Sequence, residues 1–234
     1  MKKLAFVATI AALLSGLTSC EGQKKSDGKL TNEIDSVSYS IGADIGNNLK
    51  KNQITGLNLE MMMKGMKDAF DSALVIPEDK GQACVTKYLQ NEQKKKEQSN
   101  KDKGKNFIEE NAKKSGVKTL PSGLQYEVIT MGTGPMPKAD DVVKTHYHGT
   151  LINGDVFDSS VQRGEPVEFP VNGVIKGWTE ALQMMPVGSK WKLYVPSDLA
   201  YGDQGAGGKI GPGETLIFEV ELISIQPKGA APKN

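Results

Sequence analysis

Five short stretches decide the fold: VKTHYHG (143–149), FDSS (157–160), VIKGW (174–178), AYG (200–202) and FEVEL (218–222). Within the first and the last of them, apolar and polar side chains alternate, which is typical of strands that bury one face. The same alternation recurs at Leu124/Tyr126/Val128 and at Trp191/Leu193/Val195. The second half of the chain is therefore predicted to contain several half-buried strands that share one set of aromatic side chains.

Turn and helix signals connect these strands. Asn153-Gly154 is the strongest hairpin signal in the chain, because both residue types accept the positive φ angles of a type I′ turn. One helix interrupts the strands, and it is predicted from Trp178 to Met185, where Pro186 stops it. We therefore predict an α+β fold for this part, an antiparallel β-sheet wrapped on one short helix.

Helical periodicity precedes the strands, so an all-α N-terminal domain is predicted before the sheet. Val37, Ile41, Ile45 and Leu49 form one apolar stripe, and Leu59, Met62, Met63, Met66 and Phe70 form another behind the N-cap residue Asn58. Pro77 suits the start of a third helix. Short helices bury little surface alone, and methionine fills adaptable interfaces, so the stripes form either a plain core or a contact between two copies. We favour the second interpretation, a homodimer.

Changes in composition mark the domain boundaries. We assign a signal peptide (1–19), a flexible tether (20–30), a helical dimerisation domain (31–87), a polar linker helix (88–116), a strand-rich domain (117–226) and a disordered tail (227–234). The linker has almost no apolar residue before Phe107, so we expect a solvated helix or a disordered segment. Gly104 argues against one continuous helix, and Gly116 is the predicted C-cap.

The N-terminus has the features of a bacterial lipoprotein signal. Lys2-Lys3 precedes an apolar run from Leu4 to Leu17, which at about 14 residues is shorter than a bilayer-spanning helix. The run ends in LTSC, so Cys20 is predicted to carry a lipid after cleavage; an ordinary signal peptide with a chance cysteine is the alternative. We thus expect an exported protein, lipid-anchored to a membrane and facing the periplasm or the outer surface. The remaining cysteine, Cys84, is expected to be buried in a helix and inert.

Charge and motif content exclude several classes of function. The formal net charge is +1, from 29 basic and 28 acidic residues, and the lysine run 94–96 lies between glutamates, so no nucleic-acid partner is predicted. His146 and His148 share one strand face but lack a third ligand, so no metal site is predicted. The glycine-rich loop after Tyr201 has no phosphate-binding pattern, and no hydrolase triad is evident.

In order and spacing, the five stretches resemble those of FKBP-type peptidyl-prolyl cis-trans isomerases, over the segment from Leu120 to Gln226. The helices before them resemble the N-terminal dimerisation domain of the macrophage infectivity potentiator-like group of lipoproteins. The resemblance implies an enzyme that accelerates X-Pro isomerisation while exported proteins fold, acting on proline-containing unfolded polypeptides and needing no cofactor. It also implies inhibition by macrolides such as tacrolimus or rapamycin.

The resemblance also assigns roles to single residues. The implied catalytic residues are Tyr147, Phe157, Asp158, Trp178, Tyr201 and Phe218, and the implied substrate-binding residues are Arg163, Val167, Phe169, Val174, Ile175 and Ile210. By this resemblance Trp178 is the floor of the pocket, and Asp158 with Arg163 orients Tyr147.

The resemblance further implies two hydrogen-bond donors to substrate carbonyl oxygens, the Ile175 backbone N–H and the Tyr201 hydroxyl. Three positions depart from the family's pattern. Val167 stands where the family often has a second phenylalanine, Ala206 where some members have histidine, and Gly211 where a proline is common. We expect Val167 to alter substrate preference, and Ala206 and Gly211 to affect substrate closure and macrolide affinity. The glycine content of the loop after Tyr201 predicts that this loop is mobile.

Two hypotheses for function remain open at this point. Rotation about an X-Pro bond requires an apolar pocket that stabilises the twisted amide, without covalent chemistry. The first hypothesis is therefore a peptidyl-prolyl cis-trans isomerase. The alternative is a dimeric periplasmic chaperone that binds unfolded clients with little isomerase activity. For a third class, a surface adhesin, the sequence contains no specific feature.

Overall fold

The computed structural model describes residues 29–52 and 54–226, in a chain that divides into two compact units between Val75 and Ile76. The predicted signal peptide, the lipidated Cys20, most of the predicted tether and the C-terminal tail lie outside the described residues. Within the described ranges, no helix is both long enough and apolar enough to cross a bilayer.

The first unit contains two helices that begin behind asparagines. Helix α1 (Glu33–Lys51) follows Asn32, and helix α2 (Leu59–Phe70) follows Asn58, as predicted. Each asparagine side chain accepts a hydrogen bond from a backbone N–H of the first turn, at 2.9 Å in α1 and 3.1 Å in α2. This bond satisfies a donor that the helix itself leaves unpaired. Neither helix buries a residue, so both predicted apolar stripes are largely exposed to solvent.

The second unit begins with one long helix, α3 (Glu78–Asn111), which has 34 residues and starts directly after Pro77, as predicted. Our expectation that Gly104 interrupts this helix was wrong, because the helix is continuous through that position. The predicted C-cap was wrong as well. The helix ends at Asn111 with Ala112 as its C-cap, and Gly116, with φ of 90°, lies in the turn that leads to the first strand.

The C-terminal half of α3 is packed against the strand-rich part, so the expectation of a fully solvated helix does not hold there. Its buried positions are Asn100, Gly104 and Asn111. At Gly104 the helix backbone comes so close to Thr215 that an added Cβ would lie 2.3 Å from Thr215 Oγ1. The Asn111 amide donates to Gln125 Oε1 at 2.9 Å. Because this buried face is made of asparagine and glycine, a search for apolar periodicity does not detect it.

Seven antiparallel strands follow α3 within the described residues. They are β1 (Val117–Thr119), β2 (Gln125–Thr130), β3 (Val142–Leu151), β4 (Val156–Ser159), β5 (Val167–Pro170), β6 (Lys190–Val195) and β7 (Leu216–Ile225). Their order in the sheet is β1-β2-β6-β7-β3-β4, and β5 also pairs with β3. The predicted hairpin at Asn153-Gly154 is confirmed, since it joins β3 to β4 with Gly154 at φ of 91°.

Two short helices complete the second unit. Helix α4 (Ser160–Arg163) follows β4, and helix α5 (Lys176–Leu182) buries Trp178 in the core formed with the sheet. Helix α5 begins two residues before and ends three residues before the predicted limits, because the chain turns tightly ahead of Pro186. The predicted α+β fold, a sheet wrapped on one short helix behind a helical N-terminal region, is confirmed.

Candidate active site

The site forms where strand β3 changes partner. Its first half pairs with β5, its second half pairs with β4, and Tyr147 lies between the two pairings. There the Ser160 hydroxyl accepts the Tyr147 backbone N–H at 2.8 Å and donates to the Tyr147 carbonyl at 3.2 Å. Ser160 is fully buried, and it replaces the missing strand at this point. We did not predict this role of Ser160 from the sequence. The feature that indicates it is the pair of serines directly after Asp158, where a strand leaves its sheet.

Interlocked aromatic rings form the floor and walls of the site. Trp178, at the start of α5, is 4% exposed and meets three rings nearly at right angles. Ring centroids lie 5.5 Å away for Tyr147, 5.9 Å for Phe169 and 5.3 Å for Phe218. Phe157 in turn meets Phe218 at 5.4 Å. Edge-to-face contacts of this kind fix the rings against one another, so the structure brings these five predicted residues into one cluster.

Gly149 is a further part of the site that we did not predict. A Cβ at this position of β3 would lie 2.5 Å from Phe157 Cζ and 3.2 Å from Phe218 Cε1. No side chain larger than hydrogen fits without displacing both rings. The absence of a side chain at Gly149 therefore allows Phe157 to lie across the strand and close one wall of the cluster.

A polar group borders the aromatic cluster. The Tyr147 hydroxyl donates to Asp158 Oδ2 at 2.5 Å. Arg163, at the end of α4, donates to the other carboxylate oxygen of Asp158, and its second amino group donates to the Tyr147 hydroxyl at 2.9 Å. Its guanidinium also lies 5.7 Å from the centroid of the Tyr147 ring. The predicted pair of Asp158 and Arg163 thus lies in direct contact with Tyr147.

These contacts fix the protonation states at this border. Partial burial of Asp158 raises the pKa of its carboxyl, but the hydrogen bonds from Tyr147 and Arg163 outweigh burial and hold it below the ordinary 3.8. Burial, followed by the bond to Asp158, raises the pKa of the Tyr147 hydroxyl above 10.0. At neutral pH the carboxylate is therefore ionised, and the phenol keeps the proton that it donates.

The other predicted residues surround the cluster. Val174 and Ile175 directly precede α5, and they pack, half-buried, against the core, as does Val167 in β5. Ile210 is 9% exposed, within the glycine-rich loop, whereas Tyr201 is 41% exposed. Burial and the charge of Asp158 raise the pKa of the Tyr201 hydroxyl, so this group also remains a donor at neutral pH.

Other reactive side chains do not form a second centre of chemistry in the described part of the chain. Nδ1 of His146 lies 3.1 Å from Ser160 Oγ, and Nδ1 of His148 lies 3.0 Å from Ser159 Oγ. No three His, Cys, Asp or Glu side chains in residues 29–52 and 54–226 are grouped so as to hold a metal ion. Cys84 is exposed on α3, so the expectation that it is buried was wrong.

Two family models match the chain. Residues 133–223 match "FKBP-type peptidyl-prolyl cis-trans isomerase", and residues 34–128 match "Domain amino terminal to FKBP-type peptidyl-prolyl isomerase". Outer membrane protein MIP of Legionella longbeachae is 45% identical over 226 residues, which cover 93% of this chain and 97% of that protein. The FKBP-type 22 kDa peptidyl-prolyl cis-trans isomerase of Escherichia coli K12 is 47% identical over 192 residues, or 80% and 93% of the two chains.

A solved structure agrees with these matches. The crystal structure of FkpA from Escherichia coli superposes with a TM-score of 0.71 at 38% identity, and the match covers 85% of this chain and 99% of that one. These findings favour the isomerase hypothesis over the chaperone alternative. The chain therefore belongs to the FKBP-type peptidyl-prolyl cis-trans isomerases, and it carries the domain that precedes the isomerase domain in this family.

Proposed function

We propose that the aromatic cluster around Trp178 is the site where X-Pro bonds of unfolded exported proteins rotate. The observation that carries this proposal is the buried Trp178, framed at right angles by Tyr147, Phe169 and Phe218. Such a surface accepts the flat, apolar face of a proline ring. The Tyr147, Asp158 and Arg163 group then lies at the edge where the substrate's polar backbone enters.

The chemistry follows from the nature of the amide. The planar amide is stabilised by resonance that places partial negative charge on its oxygen, and rotation meets a barrier of about 18–20 kcal/mol. An apolar pocket with little water supports the less polar, twisted amide better than the planar one. Lowering the barrier by about 5 kcal/mol accelerates the reaction several-thousandfold. No nucleophile or metal enters this mechanism.

In this mechanism the polar residues position the substrate. The Tyr201 hydroxyl and the Ile175 backbone N–H donate to the carbonyl oxygens that flank the proline. Both donors sit beside the cluster, since Ile175 directly precedes α5 and Tyr201 is within reach of the charge of Asp158. Asp158 acts by fixing Tyr147, whose ring forms one wall of the pocket.

Replacement of Asp158 tests this proposal. Asp158→Asn removes the charge that binds Arg163 and accepts from Tyr147, and we expect kcat/KM for a peptide with an apolar residue before proline to fall about tenfold. The matched control is Asp155→Asn in the hairpin loop, where the carboxylate accepts from the side-chain amide of neighbouring Asn153 at 2.7 Å. Loss in both variants, or in neither, while circular dichroism shows an intact fold, would contradict the proposal. The same assay tests inhibition by tacrolimus.

We also propose that two copies associate through the apolar stripes of α1 and α2. The support is exposure: Ile41 is 56%, Met63 61% and Phe70 92% exposed in one copy. Soluble proteins rarely leave such rows of large apolar side chains in water, and two short helices bury little surface by themselves. Association of equivalent stripes removes this apolar area from water in both copies at once.

Sedimentation equilibrium tests the dimer. Ile41→Glu together with Met63→Glu places charges on both stripes and is expected to give monomers that still isomerise short peptides. Asn47→Glu is the control, because at 100° per residue it lies roughly 120° around α1 from Ile41, outside the apolar stripe. A monomeric wild-type protein, or a double variant that remains dimeric, would overturn the proposed interface.

We propose, finally, that Cys20 carries a lipid that anchors the protein to a membrane. The support is the LTSC sequence that ends the apolar run at the N-terminus, together with the similarity to outer membrane protein MIP of Legionella longbeachae. We expect Cys20→Ser to move the protein from the membrane fraction to the soluble fraction. Intact mass spectrometry of the mature wild-type chain is the direct check, and a mass without added acyl chains would refute the anchor.

A further inference from the structure

The glycine-rich segment 202–213, here called the flap, reaches the site through the buried Ile210 and through Lys209. Its glycines 202, 205, 207, 208 and 213 all have positive φ, between 57° and 71°. Glycine loses more conformational freedom on ordering than any other residue, so a loop of this composition is costly to hold in one conformation. Contacts from outside the flap must therefore contribute to its position.

Within the flap, few hydrogen bonds set the shape. Ala206 and Ile210 exchange two backbone hydrogen bonds, at 2.9 and 3.0 Å, around the tip formed by Gly207 and Gly208. At its base the Gly213 amide donates to the Gly202 carbonyl at 2.9 Å. These bonds make a small hairpin that presents Ile210, an implied substrate-binding residue, to the core.

Helix α3 holds the outer side of this hairpin. The Asn100 side-chain amide donates to the Pro212 carbonyl at 2.9 Å, and Asn100 is 8% exposed. One residue further along, Lys101 Nζ lies 2.5 Å from Asp203 Oδ1 at the other end of the flap. A Cβ on Gly213 would lie 2.8 Å from the Glu97 carbonyl oxygen, so the flap backbone rests directly against the helix.

The inner side of the flap is tied to the pocket. Lys209 Nζ donates to the Phe157 carbonyl at 3.2 Å, and Phe157 is a wall of the aromatic cluster. The flap is thus held between α3 on one side and strand β4 on the other. The Lys209 contact is a single exposed hydrogen bond, whereas Asn100, Lys101 and the backbone of Glu97 all contact the flap from α3.

We infer that Asn100 and Lys101 are positioning residues for the isomerase site, although they belong to the long helix and not to the pocket. They hold the flap so that Ile210 covers the proline pocket before substrate arrives. This inference rests on the proposed function of the pocket. If only molecules with the flap in place bind substrate, the apparent affinity for substrate is proportional to the fraction of such molecules. A variant that lowers this fraction therefore binds substrate more weakly. The effect of α3 should therefore appear in KM, with kcat nearly unchanged.

The test measures kinetics and hydrogen exchange on the full chain. Asn100→Ala and the isosteric Asn100→Asp both remove the donor to the Pro212 carbonyl. Loss of one such hydrogen bond shifts the equilibrium between the held and the released flap about fivefold towards the released state. Lys101→Ala removes the ion pair with Asp203 in the flap together with the pair to Glu97 in its own helix, and we expect KM to rise about twofold. Lys101→Arg keeps the charge and should behave like the wild type.

Two variants on α3 serve as matched controls. Within the described residues, the Gln98 side chain bonds to Asp102, and Lys105 forms an ion pair with Glu109, in each case four positions later in the same helix. Gln98→Ala and Lys105→Ala therefore remove polar contacts of α3 that do not involve the flap. Both controls should keep the wild-type KM and the wild-type amide exchange.

We expect KM for a prolyl peptide to rise in the Asn100 variants, with faster exchange at the hydrogen-bonded flap amides of Ala206, Ile210 and Gly213. Exchange in strands β6 and β7 should not change. Unchanged flap exchange and KM in both Asn100 variants would overturn the inference, and so would equal changes in the controls. A wild-type protein without isomerase activity would instead refute the proposed function, and the exchange data would still report whether α3 holds the flap.

Discussion

The floor of the pocket and the flap above it are built in opposite ways. The floor consists of aromatic rings that meet nearly at right angles around Trp178, so each ring limits the movement of its neighbours. The flap consists largely of glycine, and polar contacts from Asn100, Lys101 and Lys209 set its position. The proposed site therefore joins a rigid aromatic surface to a glycine-rich loop that contacts from outside the loop hold in place.

The largest expected effect on activity comes from removing the tryptophan that forms the floor. The chain has two tryptophans, Trp178 at 4% exposure and Trp191 at 3%, so replacing either by alanine should lower the free energy of unfolding by about 3–5 kcal/mol. Trp191 stacks on Tyr126 at 4.6 Å and not on the site. We expect Trp178→Ala to lower kcat/KM by about a hundredfold, as a loss of about 3 kcal/mol of transition-state support implies.

Trp191→Ala is the control for that experiment, measured at a temperature at which both variants are folded. Its kcat/KM should remain close to the wild-type value. Equal losses of activity in the two variants would show that general destabilisation, and not the pocket floor, explains the effect.

A smaller effect is expected from pH, at the polar border of the floor. The pKa of the Asp158 carboxyl is lowered in the folded state. The stabilisation that the ionised carboxylate gives is therefore present above the ordinary pKa of 3.8, and it is lost as pH falls through the lowered pKa of the folded protein. We expect kcat/KM to be constant from neutral pH down to about 4 and to fall about tenfold below that. Asp158→Asn should lack this decline, which NMR exchange measurements on a prolyl peptide can follow.

Two outcomes would contradict this prediction. A decline already between pH 5 and 7 would mean that another group titrates. A decline of equal size in Asp158→Asn, with circular dichroism showing a folded protein at each pH, would mean that Asp158 is not responsible.

A still smaller effect on activity comes from the helix that holds the flap. Gly104 and Gly81 lie in the same helix, yet a Cβ at Gly104 would clash with Thr215, and a Cβ at Gly81 meets nothing within 4 Å. Gly104→Ala should therefore lower the free energy of unfolding by about 1–3 kcal/mol and raise KM a few-fold, as the helix moves away from the flap. Gly81→Ala should stabilise by about 0.5–1 kcal/mol and leave KM unchanged.

Thermal unfolding and peptide kinetics on the two glycine variants check this pair. If Gly104→Ala were as stable and as active as Gly81→Ala, the close packing of α3 on the sheet would not exist in solution.

The comparison of floor and flap also explains what the sequence could predict. Alternating strands, the Asn153-Gly154 turn and the helix start at Asn58 depend on local residues, and each was predicted correctly. The aromatic positions were assigned through their family spacing, and the structure brings them together. Such features depend on side chains whose chemistry already indicates burial or a turn.

The packing of α3 could not be predicted in this way. Its buried positions are Asn100, Gly104 and Asn111, and both residue types, asparagine and glycine, usually indicate exposure or helix ends. Gly104 weakens an isolated helix, and its benefit is visible only beside Thr215, which lies far away in sequence. The role of Ser160 was likewise hidden, since it depends on the gap that β4 and β5 leave along β3.

The central claim is that prolines bind and turn on Trp178, and NMR of the two indole N–H groups tests it most directly. Both groups are buried, and neither has a hydrogen-bond partner within the described residues, so each reports on its own surroundings. On titration with a short prolyl peptide, we predict that the Trp178 signal shifts saturably while Trp191 stays in place and the peptide's cis and trans signals exchange faster. Accelerated exchange with an unmoved Trp178 signal would contradict the account, because catalysis would then take place elsewhere on the molecule.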